Sequence, residues 1–376
     1  MSKLDSLVSD FNKKYKEDIA ARGIARIETD RIPFSSPRIN YMLYGGIPRG
    51  RIIEFAGAEG SGKTTSALDI AANSQKLFRK DWEKEIQELE EKKEKTKGDE
   101  TRIQYLKVRG PKQVVYADCE NTLDEDWARL LGVNVDEMFI IKPMSQSAEQ
   151  IFEMLLDTME TDEAGLVVID SLGVMLSQQA YDKTMEEKTY GGIAMALTLF
   201  SKKAGMLCAK YDCTLIGINQ MRADMNSQWG GEDTTGGKAW KHNCSVRLLF
   251  RKGDFLDERG DSLKRSAEEP KGNQVMVNIA KTKVFKPDRK VGFYTLMYHT
   301  GIDEIADTVE TAIRYKLIIK SGSWYNLVDY ETGELLEDEE GNVIKLQGKA
   351  NMNEYLQANP EIFQNLYEKV KEKVKD

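Results

Sequence analysis

The chain has 376 residues, of which 40% are hydrophobic and 31% are charged, and its formal net charge is −8. This composition is typical of a globular protein of about two or three domains. The chain has few cysteines (four) and few histidines (two), which argues against a disulfide scaffold, a zinc site and most histidine-based catalysis. No apolar run approaches the roughly 20 residues that span a bilayer, and the first residues show no signal-peptide core, so we expect a cytoplasmic protein.

The amino-terminal residues 1–33 are predicted to form a helical arm followed by a short extended link. Leu4, Leu7, Phe11 and Tyr15 recur at helical spacing. From residue 34 to about 300, short β-rich runs alternate with longer helical patterns. The runs 51–55, 114–117, 166–169 and 214–218 read as buried parallel strands. We therefore predict an α/β core with a mainly parallel central sheet flanked by helices.

A charged stretch interrupts this pattern at about 80–110. Positive and negative side chains alternate along it, and Trp82, Ile86 and Leu89 give a narrow apolar stripe. We interpret it as two solvent-exposed helices that project as a hairpin and turn at Gly98-Asp99. A solvated insertion is the favoured interpretation, and a partner-docking arm is the alternative.

Residues 301–376 are predicted to form a separate small α+β domain. Val309 to Ile318 indicate an amphipathic helix, and the run 324–328 alternates like a strand. The glycine turns at 332–333 and 340–342 fit a small antiparallel sheet, and the pattern from Met352 to Val374 is helical.

The strongest motif is a phosphate-binding loop that follows a strand and opens a helix. It matches G-x-x-x-x-G-K-[ST] without exception, and its predicted nucleotide-binding residues are Gly57, Glu59, Gly60, Ser61, Gly62, Lys63, Thr64 and Thr65. Backbone amides of such a loop cradle phosphates. Lys63 would contact the β- and γ-phosphates of ATP, and Thr64 would bind Mg²⁺.

Polar residues at the ends of three further predicted strands complete this site. Asp170 ends an apolar strand and is the expected second Mg²⁺ ligand, although such an acid can also serve as a cap. Glu120 ends another strand and could activate water, while an ordinary loop acid is the alternative. Gln220 follows a fourth strand and could sense the γ-phosphate, or belong to an ordinary turn.

Several runs make the chain resemble the bacterial RecA recombinases along nearly its whole length. The runs that carry the resemblance are 45–54, 118–124, 127–133, 218–222, 234–241, 245–248, 281–283, 322–325 and 348–351. The resemblance implies a RecA-like ATPase core, an arm at 1–33 that serves oligomerisation, and an ATP-dependent filament on single-stranded DNA. That filament would perform homologous pairing and strand exchange in recombination and repair.

The resemblance also implies individual roles. Glu120 looks like the base that activates water, and Gln220 looks like the switch between the γ-phosphate and the DNA-binding loop. Trp127 stands at an adenine-stacking position, and Asp124 looks like an adenine-side contact. Lys281 and Lys283 resemble two lysines that reach a neighbouring subunit's ATP, where they would act as arginine fingers do. Exposed strand lysines are the plain alternative.

Two loops are predicted to hold DNA, at about 178–192 and 221–241. Their glycines, together with an aromatic side chain, suit recognition that does not depend on sequence. The predicted DNA-binding residues are Gly191, Gly192, Arg222, Trp229, Thr235, Gly236, Gly237, Lys238 and Arg247. The second loop is close to neutral, so main-chain amides would bind part of the phosphate backbone.

The departures from the family pattern point to a divergent or phage-encoded member. The charged insertion is absent from ordinary members, and His242 stands where an interface aromatic is usual. Two rival interpretations remain. One is a ring-forming motor with the same ATPase fold, and the other is a non-catalytic, ATP-gated scaffold that coats DNA.

Overall fold

The computed structural model describes residues 3–15, 30–183, 192–223, 232–264, 266–329, 332–338 and 340–375. The chain divides into two compact units, Met1–Asp30 and Arg31–Asp376. In the first unit, α1 (Lys3–Tyr15) confirms the predicted arm helix, with Asp5 in its first turn and Lys13 and Lys14 in its last. This charge order is favourable for a helix dipole. Residues 16–29 of the predicted arm and link lie outside the described ranges.

The second unit contains the sheets. Its strands are β1 (Arg31–Ile32), β2 (Ile47–Pro48), β3 (Ile52–Gly57), β4 (Gln113–Asp118), β5 (Met138–Ile141), β6 (Ala164–Asp170), β7 (Thr214–Ala223), β8 (Glu232–Thr234), β9 (Val246–Leu256), β10 (Ser262–Leu263), β11 (Gly272–Thr282), β12 (Val291–Met297), β13 (Gly301–Ile302), β14 (Ile318–Ser321), β15 (Trp324–Leu327) and β16 (Lys345–Gln347).

Helices connect and cover these strands. They are α2 (Pro37–Met42), α3 (Lys63–Glu90), α4 (Lys97–Arg109), α5 (Glu125–Leu130), α6 (Ala148–Glu160), α7 (Gln178–Tyr181), α8 (Ala194–Lys210), α9 (Gly237–Asn243), α10 (Glu304–Arg314), α11 (Lys349–Ala358) and α12 (Pro360–Lys373). No described helix is long and apolar enough to cross a membrane.

The central sheet has the strand order β13-β12-β11-β9-β3-β7-β6-β4-β5. The six strands from β9 to β5 run parallel, whereas β11, β12 and β13 continue the sheet antiparallel. All four predicted strands are present, and the mainly parallel α/β fold is confirmed. Because the strands are parallel, the carboxyl ends of β3, β4, β6 and β7 meet at one edge, where open α/β sheets bind ligands.

Both faces of the parallel sheet are buried, which explains why its strands are continuous apolar runs. Ile53 and Phe55 of β3 belong to one core, which includes residues of α2 and α3. Ile52 of β3 belongs to a second core, together with Phe152 and Phe200, whose rings stack at 4.4 Å. The alternation of side chains along a strand thus fills two separate layers.

The charged insertion is a helical hairpin, as predicted, but its first helix is the continuation of the phosphate-loop helix. α3 runs unbroken from Lys63 to Glu90, and α4 returns along it. Trp82 Nε1 donates to the Leu106 carbonyl at 2.8 Å, and Arg102–Glu85 bridges the helices. The predicted turn at Gly98-Asp99 is wrong, because Thr96 caps α4 with a reciprocal Thr96–Asp99 capping box and the connection lies before it.

The carboxyl-terminal residues form α10, the three-stranded sheet β14-β15-β16, and two closing helices around their own core. The predicted helix ends at Arg314, and Ile318 already belongs to β14. Pro360 separates the predicted terminal helix into α11 and α12, because proline cannot continue a helix. α10 is fixed to the main sheet by buried Asp307, which accepts hydrogen bonds from Ser36 Oγ and from the Thr295 backbone.

Candidate nucleotide-binding site and DNA-loop roots

The phosphate loop connects the end of β3 to the first turn of α3. Gly60 and Gly62 have φ values of 67° and 94°, in the left-handed region that favours glycine. A Cβ on Gly57 would collide with the Phe250 carbonyl oxygen and with Ser61 Oγ. These glycines bring the backbone close together and leave the amino-terminal amides of α3 available to an anion.

Two polar groups of this loop fit a bound phosphate. Ser61 Oγ is buried and has no hydrogen-bond partner within the described chain. Lys63 Nζ donates to the Ala58 carbonyl at 2.7 Å. Burial lowers the pKa of Lys63, although the charges of Asp170, Glu120 and Glu59 oppose this shift. The loop therefore holds a cation and an unused hydroxyl where a phosphate of ATP is expected.

The predicted Mg²⁺ ligands lie together beside the loop. Thr64 Oγ1 donates to Asp170 Oδ2 at 2.8 Å, and Tyr116 OH donates to the same oxygen at 2.7 Å. Burial raises the pKa of Asp170, and the two hydroxyl donors oppose that shift. A hydroxyl and a carboxylate are oxygen ligands of the kind that Mg²⁺ prefers, so these residues fit the metal.

Glu120 lies next to this pair. Asp118 of β4 is level with Asp170 of β6, and the backbone amides of Cys119 and Glu120 donate to the Asp170 carbonyl at 2.7 and 3.3 Å. Ser171 Oγ donates to Glu120 Oε1. The half-buried Glu120 carboxylate is thus held at the carboxyl edge of the sheet, close enough for its charge to act on Lys63.

The predicted adenine-side residues are joined to the start of α3. Trp127 is half-buried, and its Nε1 donates to Thr65 Oγ1 at 3.4 Å. Asp124 caps α5, since its Oδ1 accepts the Trp127 amide at 3.0 Å. Asp124 therefore fixes the first turn of α5 in this structure, and its predicted contact with adenine remains a prediction.

Gln220 lies directly beside the phosphate loop. In the parallel pairing of β3 and β7, Gly57 is level with Gln220. The preceding residue, Asn219, donates through Nδ2 to Glu54 Oε1 at 3.0 Å and to the Thr235 carbonyl at 2.7 Å. The strand that carries Gln220 is therefore bonded both to the phosphate-loop strand and to the second DNA loop.

The buried Glu54 carboxylate collects donors from several elements. Besides Asn219, it accepts hydrogen bonds from Trp240 Nε1 at 2.9 Å and from Arg247 Nε. Arg247 also donates to Thr234 Oγ1 at 3.2 Å, so this predicted DNA-binding arginine is engaged inside the protein. Its side chain keeps 16% of its surface exposed, and its contact with DNA stays a prediction.

The two arms of the second DNA loop form a β-hairpin that continues β7. Met221 pairs with Thr234, and Arg222 pairs with Asp233. The loop then enters α9 through Gly236 and Gly237, with φ values of 102° and 71°. The predicted DNA-binding residues in this turn are Thr235, Gly236, Gly237 and the exposed Lys238. Trp229 lies outside the described residues, and so does Gly191 of the first loop.

The first DNA loop is described only at its two ends. α7 lies at its start, and Gly192, with φ 46°, lies at its end. Ser177 caps α7 by accepting the Ala180 amide. Just beyond Gly192, Leu197 and Ala194 of α8 lie against Gly236 and Gly237 of the second loop. The DNA-binding role of the first loop stays a prediction.

Lys281 and Lys283 lie at the other end of the sheet from the phosphate loop. Both ammonium groups donate to the His242 carbonyl, at 2.7 and 2.6 Å, in the last turn of α9. Thr282 is level with Val246 and Ile53, whereas the phosphate loop begins four residues further along β3, at Gly57. Four residues of strand span about 13 Å, so these lysines cannot reach the γ-phosphate side of their own loop.

Sequence reasoning missed four residues that shape these sites. Tyr116 contacts Asp170, the predicted Mg²⁺ ligand, and Ser171 contacts Glu120, the predicted base. Glu54 and Trp240 join the phosphate-loop strand to the second DNA loop. Trp240 is fully buried, and Gly217 makes room for it, because a Cβ there would collide with the indole. Glu54 and Trp240 do lie in runs that carry the family resemblance, 45–54 and 234–241, but neither was singled out there.

Comparison with known proteins gives matches along most of the chain. The RecA N-terminal domain model matches residues 3–80 and 94–303, and the RecA C-terminal domain model matches residues 306–375. Protein RecA of Ruminococcus albus is 29% identical over 98% of this chain and 79% of its own length. Protein RecA of Clostridium beijerinckii is 31% identical over 88% of this chain and 76% of its own length. Protein RecA of Aquifex aeolicus is 28% identical over 98% of this chain and 92% of its own length. The unmatched residues 81–93 cover the last ten residues of α3 and the first part of the connection to α4.

Proposed function

The chain belongs to the RecA family of recombinases and DNA-dependent ATPases, and we propose that the residues gathered around its phosphate loop hydrolyse ATP to drive or reset DNA strand exchange. The observation that carries this assignment is the meeting of Thr64, Asp170 and Glu120 at one edge of the sheet, beside Lys63. The ends of β4 and β6 and the first turn of α3 bring these side chains to the same place.

Each residue has a chemical task in this proposal. The loop amides, Ser61 and Lys63 bind the phosphates, and Trp127 covers the adenine side. Thr64 and Asp170 would hold Mg²⁺, which would neutralise charge on the phosphate oxygens. Glu120 accepts a proton from the attacking water at a carboxylate oxygen, and Ser171 fixes the direction of that carboxylate.

The two remaining tasks involve DNA and a second copy of the chain. Gln220 hydrogen-bonds the γ-phosphate and passes the change to the second DNA loop, whose root is bonded to the neighbouring Asn219. Lys281 and Lys283 leave the α9 carbonyls and enter the ATP site of a neighbouring subunit, where they stabilise transition-state charge. We propose that this arrangement is repeated in a helical filament on single-stranded DNA in the cytoplasm.

The decisive experiment is strand exchange between circular single-stranded DNA and homologous linear duplex DNA, with wild type and Glu120→Gln compared side by side. We expect joint molecules with wild type in the presence of ATP and Mg²⁺, and ATP hydrolysis that rises when single-stranded DNA is added. A protein that binds DNA but neither exchanges strands nor hydrolyses ATP would support the non-catalytic scaffold instead. Electron microscopy of the DNA complex separates an open helical filament from a closed ring.

A further inference from the structure

The buried phenol of Tyr116 lies against the carboxylate of Asp170. Tyr116 lies in the middle of β4 and is 1% exposed, and its ring belongs to the core beneath the phosphate loop. Its hydroxyl is 2.7 Å from Asp170 Oδ2. β4 and β6 are adjacent parallel strands, and Ala117, the residue after Tyr116, is level with Ile169, the residue before Asp170. The contact therefore spans neighbouring strands and depends on their register.

The surroundings of Asp170 give this hydroxyl a specific task. Asp118 and Glu120 lie close enough to act on the Asp170 charge, so the carboxylate stands among like charges in a buried place. Oδ2 receives both Thr64 Oγ1 and Tyr116 OH, whereas Oδ1 receives no side-chain hydrogen bond from the described residues. Two donors on one oxygen fix the rotation of the carboxylate about its side-chain bond.

Thr64 cannot serve as a lasting anchor, because the proposed function assigns its hydroxyl to the metal. Once Thr64 turns to a cation, Tyr116 is the remaining described side-chain donor to Asp170. A second donor that does not bind the metal itself is the usual way in which proteins orient a ligating carboxylate.

We propose that Tyr116 is a positioning residue of the divalent-cation site, which acts through Asp170. This inference rests on the proposed ATP site and deepens it. The plain alternative is that Tyr116 only fills the core and uses Asp170 as a convenient partner for its hydroxyl. The two interpretations differ in what removal of one oxygen atom does to metal binding.

The test is Tyr116→Phe, which removes the hydroxyl and keeps the ring. Mn²⁺ would be titrated into the protein with a saturating, slowly hydrolysed ATP analogue, and bound Mn²⁺ would be followed by electron paramagnetic resonance. We expect Mn²⁺ affinity to fall by about 10–100-fold, the usual loss for a partner of a metal ligand. Equal Mn²⁺ affinity in wild type and variant would overturn the inference, and failure of wild type to bind Mn²⁺ with nucleotide would overturn the proposed ATP site instead.

Two controls separate positioning from general damage. Tyr44→Phe removes the same atom from another tyrosine–aspartate pair, in which Tyr44 OH lies 2.6 Å from Asp288 Oδ1, and it should leave Mn²⁺ affinity unchanged. In an Asp170→Asn background, Tyr116→Phe should cause little further loss, because the residue through which it acts has already changed. A full further loss there would show that Tyr116 acts by another route.

Discussion

The two ends of the parallel sheet carry very different sites. At the carboxyl end, the phosphate loop, Thr64, Asp170 and Glu120 all belong to one chain and already contact one another. At the amino end, Lys281 and Lys283 are bonded to backbone carbonyls of α9 and have no carboxylate or phosphate partner among the described residues. One end is assembled by folding, whereas the other has its proposed function only when a second copy is present.

The lysine pair gives the largest expected effect. Replacing Lys281 and Lys283 together with alanine should reduce DNA-stimulated hydrolysis by about 10³-fold or more, the scale of a lost arginine finger, and leave nucleotide binding by the isolated subunit intact. The matched control is Lys286→Ala with Lys290→Ala, two exposed lysines nearby. Mixing the lysine variant with Glu120→Gln should restore part of the activity, since each supplies what the other lacks. Full activity of the lysine variant alone would refute the shared site.

The next effect belongs to the carboxyl end. Glu120→Gln keeps the shape of the side chain and removes the base, so ATP should still bind while hydrolysis falls by about 10²-fold or more. Lys63→Ala removes a charge that meets the phosphates in ground and transition states, so affinity and rate should both fall. Nucleotide titrations and steady-state rates of the two variants measure this difference, with Glu91→Gln on the hairpin as control. Equal losses of ATP affinity would contradict the assignment.

A smaller effect is expected where the nucleotide site meets the DNA loop. Gln220→Ala should leave ATP and single-stranded DNA able to bind alone but reduce their mutual tightening, which for a coupling of about 1–3 kcal/mol is about 5–150-fold. Titration of single-stranded DNA with and without a slowly hydrolysed ATP analogue gives the ratio, and Gln364→Ala in α12 is the control. If Gln220→Ala keeps the wild-type gain in DNA affinity, another residue provides the coupling.

The smallest effect tests the link between the two ends. Trp240 belongs to α9, whose last carbonyls hold the lysines, and it donates to Glu54 beneath the phosphate loop. Trp240→Phe should lower the free energy of unfolding by about 1.5–3 kcal/mol, because a hydrogen bond to a charged group is lost. Trp82→Phe, which loses a bond to a neutral carbonyl, should cost less, about 1 kcal/mol. Urea unfolding followed by circular dichroism compares them, and a larger loss for Trp82→Phe would contradict the central place of Glu54.

The strands of the fold and the phosphate loop could be predicted because each is encoded by residues that are contiguous in the sequence. A buried parallel strand is a short apolar run, and the loop is eight residues in fixed order. The pairs Tyr116–Asp170 and Glu54–Arg247 could not be predicted, since they join residues on different strands and depend on which strands are neighbours. For the same reason, the spacing of Lys281 and Lys283 gives no sign that they cap α9.

The hairpin shows a different limit of sequence reasoning. Its charge pattern correctly predicted two exposed helices. Within α3, however, the inner half has the apolar pattern of a buried helix, and the outer half has the charged pattern of a solvated one. The change in pattern marks where the helix leaves the core and not where it ends. The turn was misplaced because Gly98 looks like a loop residue, whereas the capping box of Thr96 and Asp99 allows it in the first helical turn.

Because α3 is unbroken, the same helix that begins at the phosphate loop also forms the first helix of the hairpin. Its 28 residues extend about 40 Å, from Lys63 to Glu90. One continuous helix therefore joins the phosphate loop to the connection that carries the exposed Lys93. We expect a fluorescent label on Lys93 to change its emission when ATP binding moves α3.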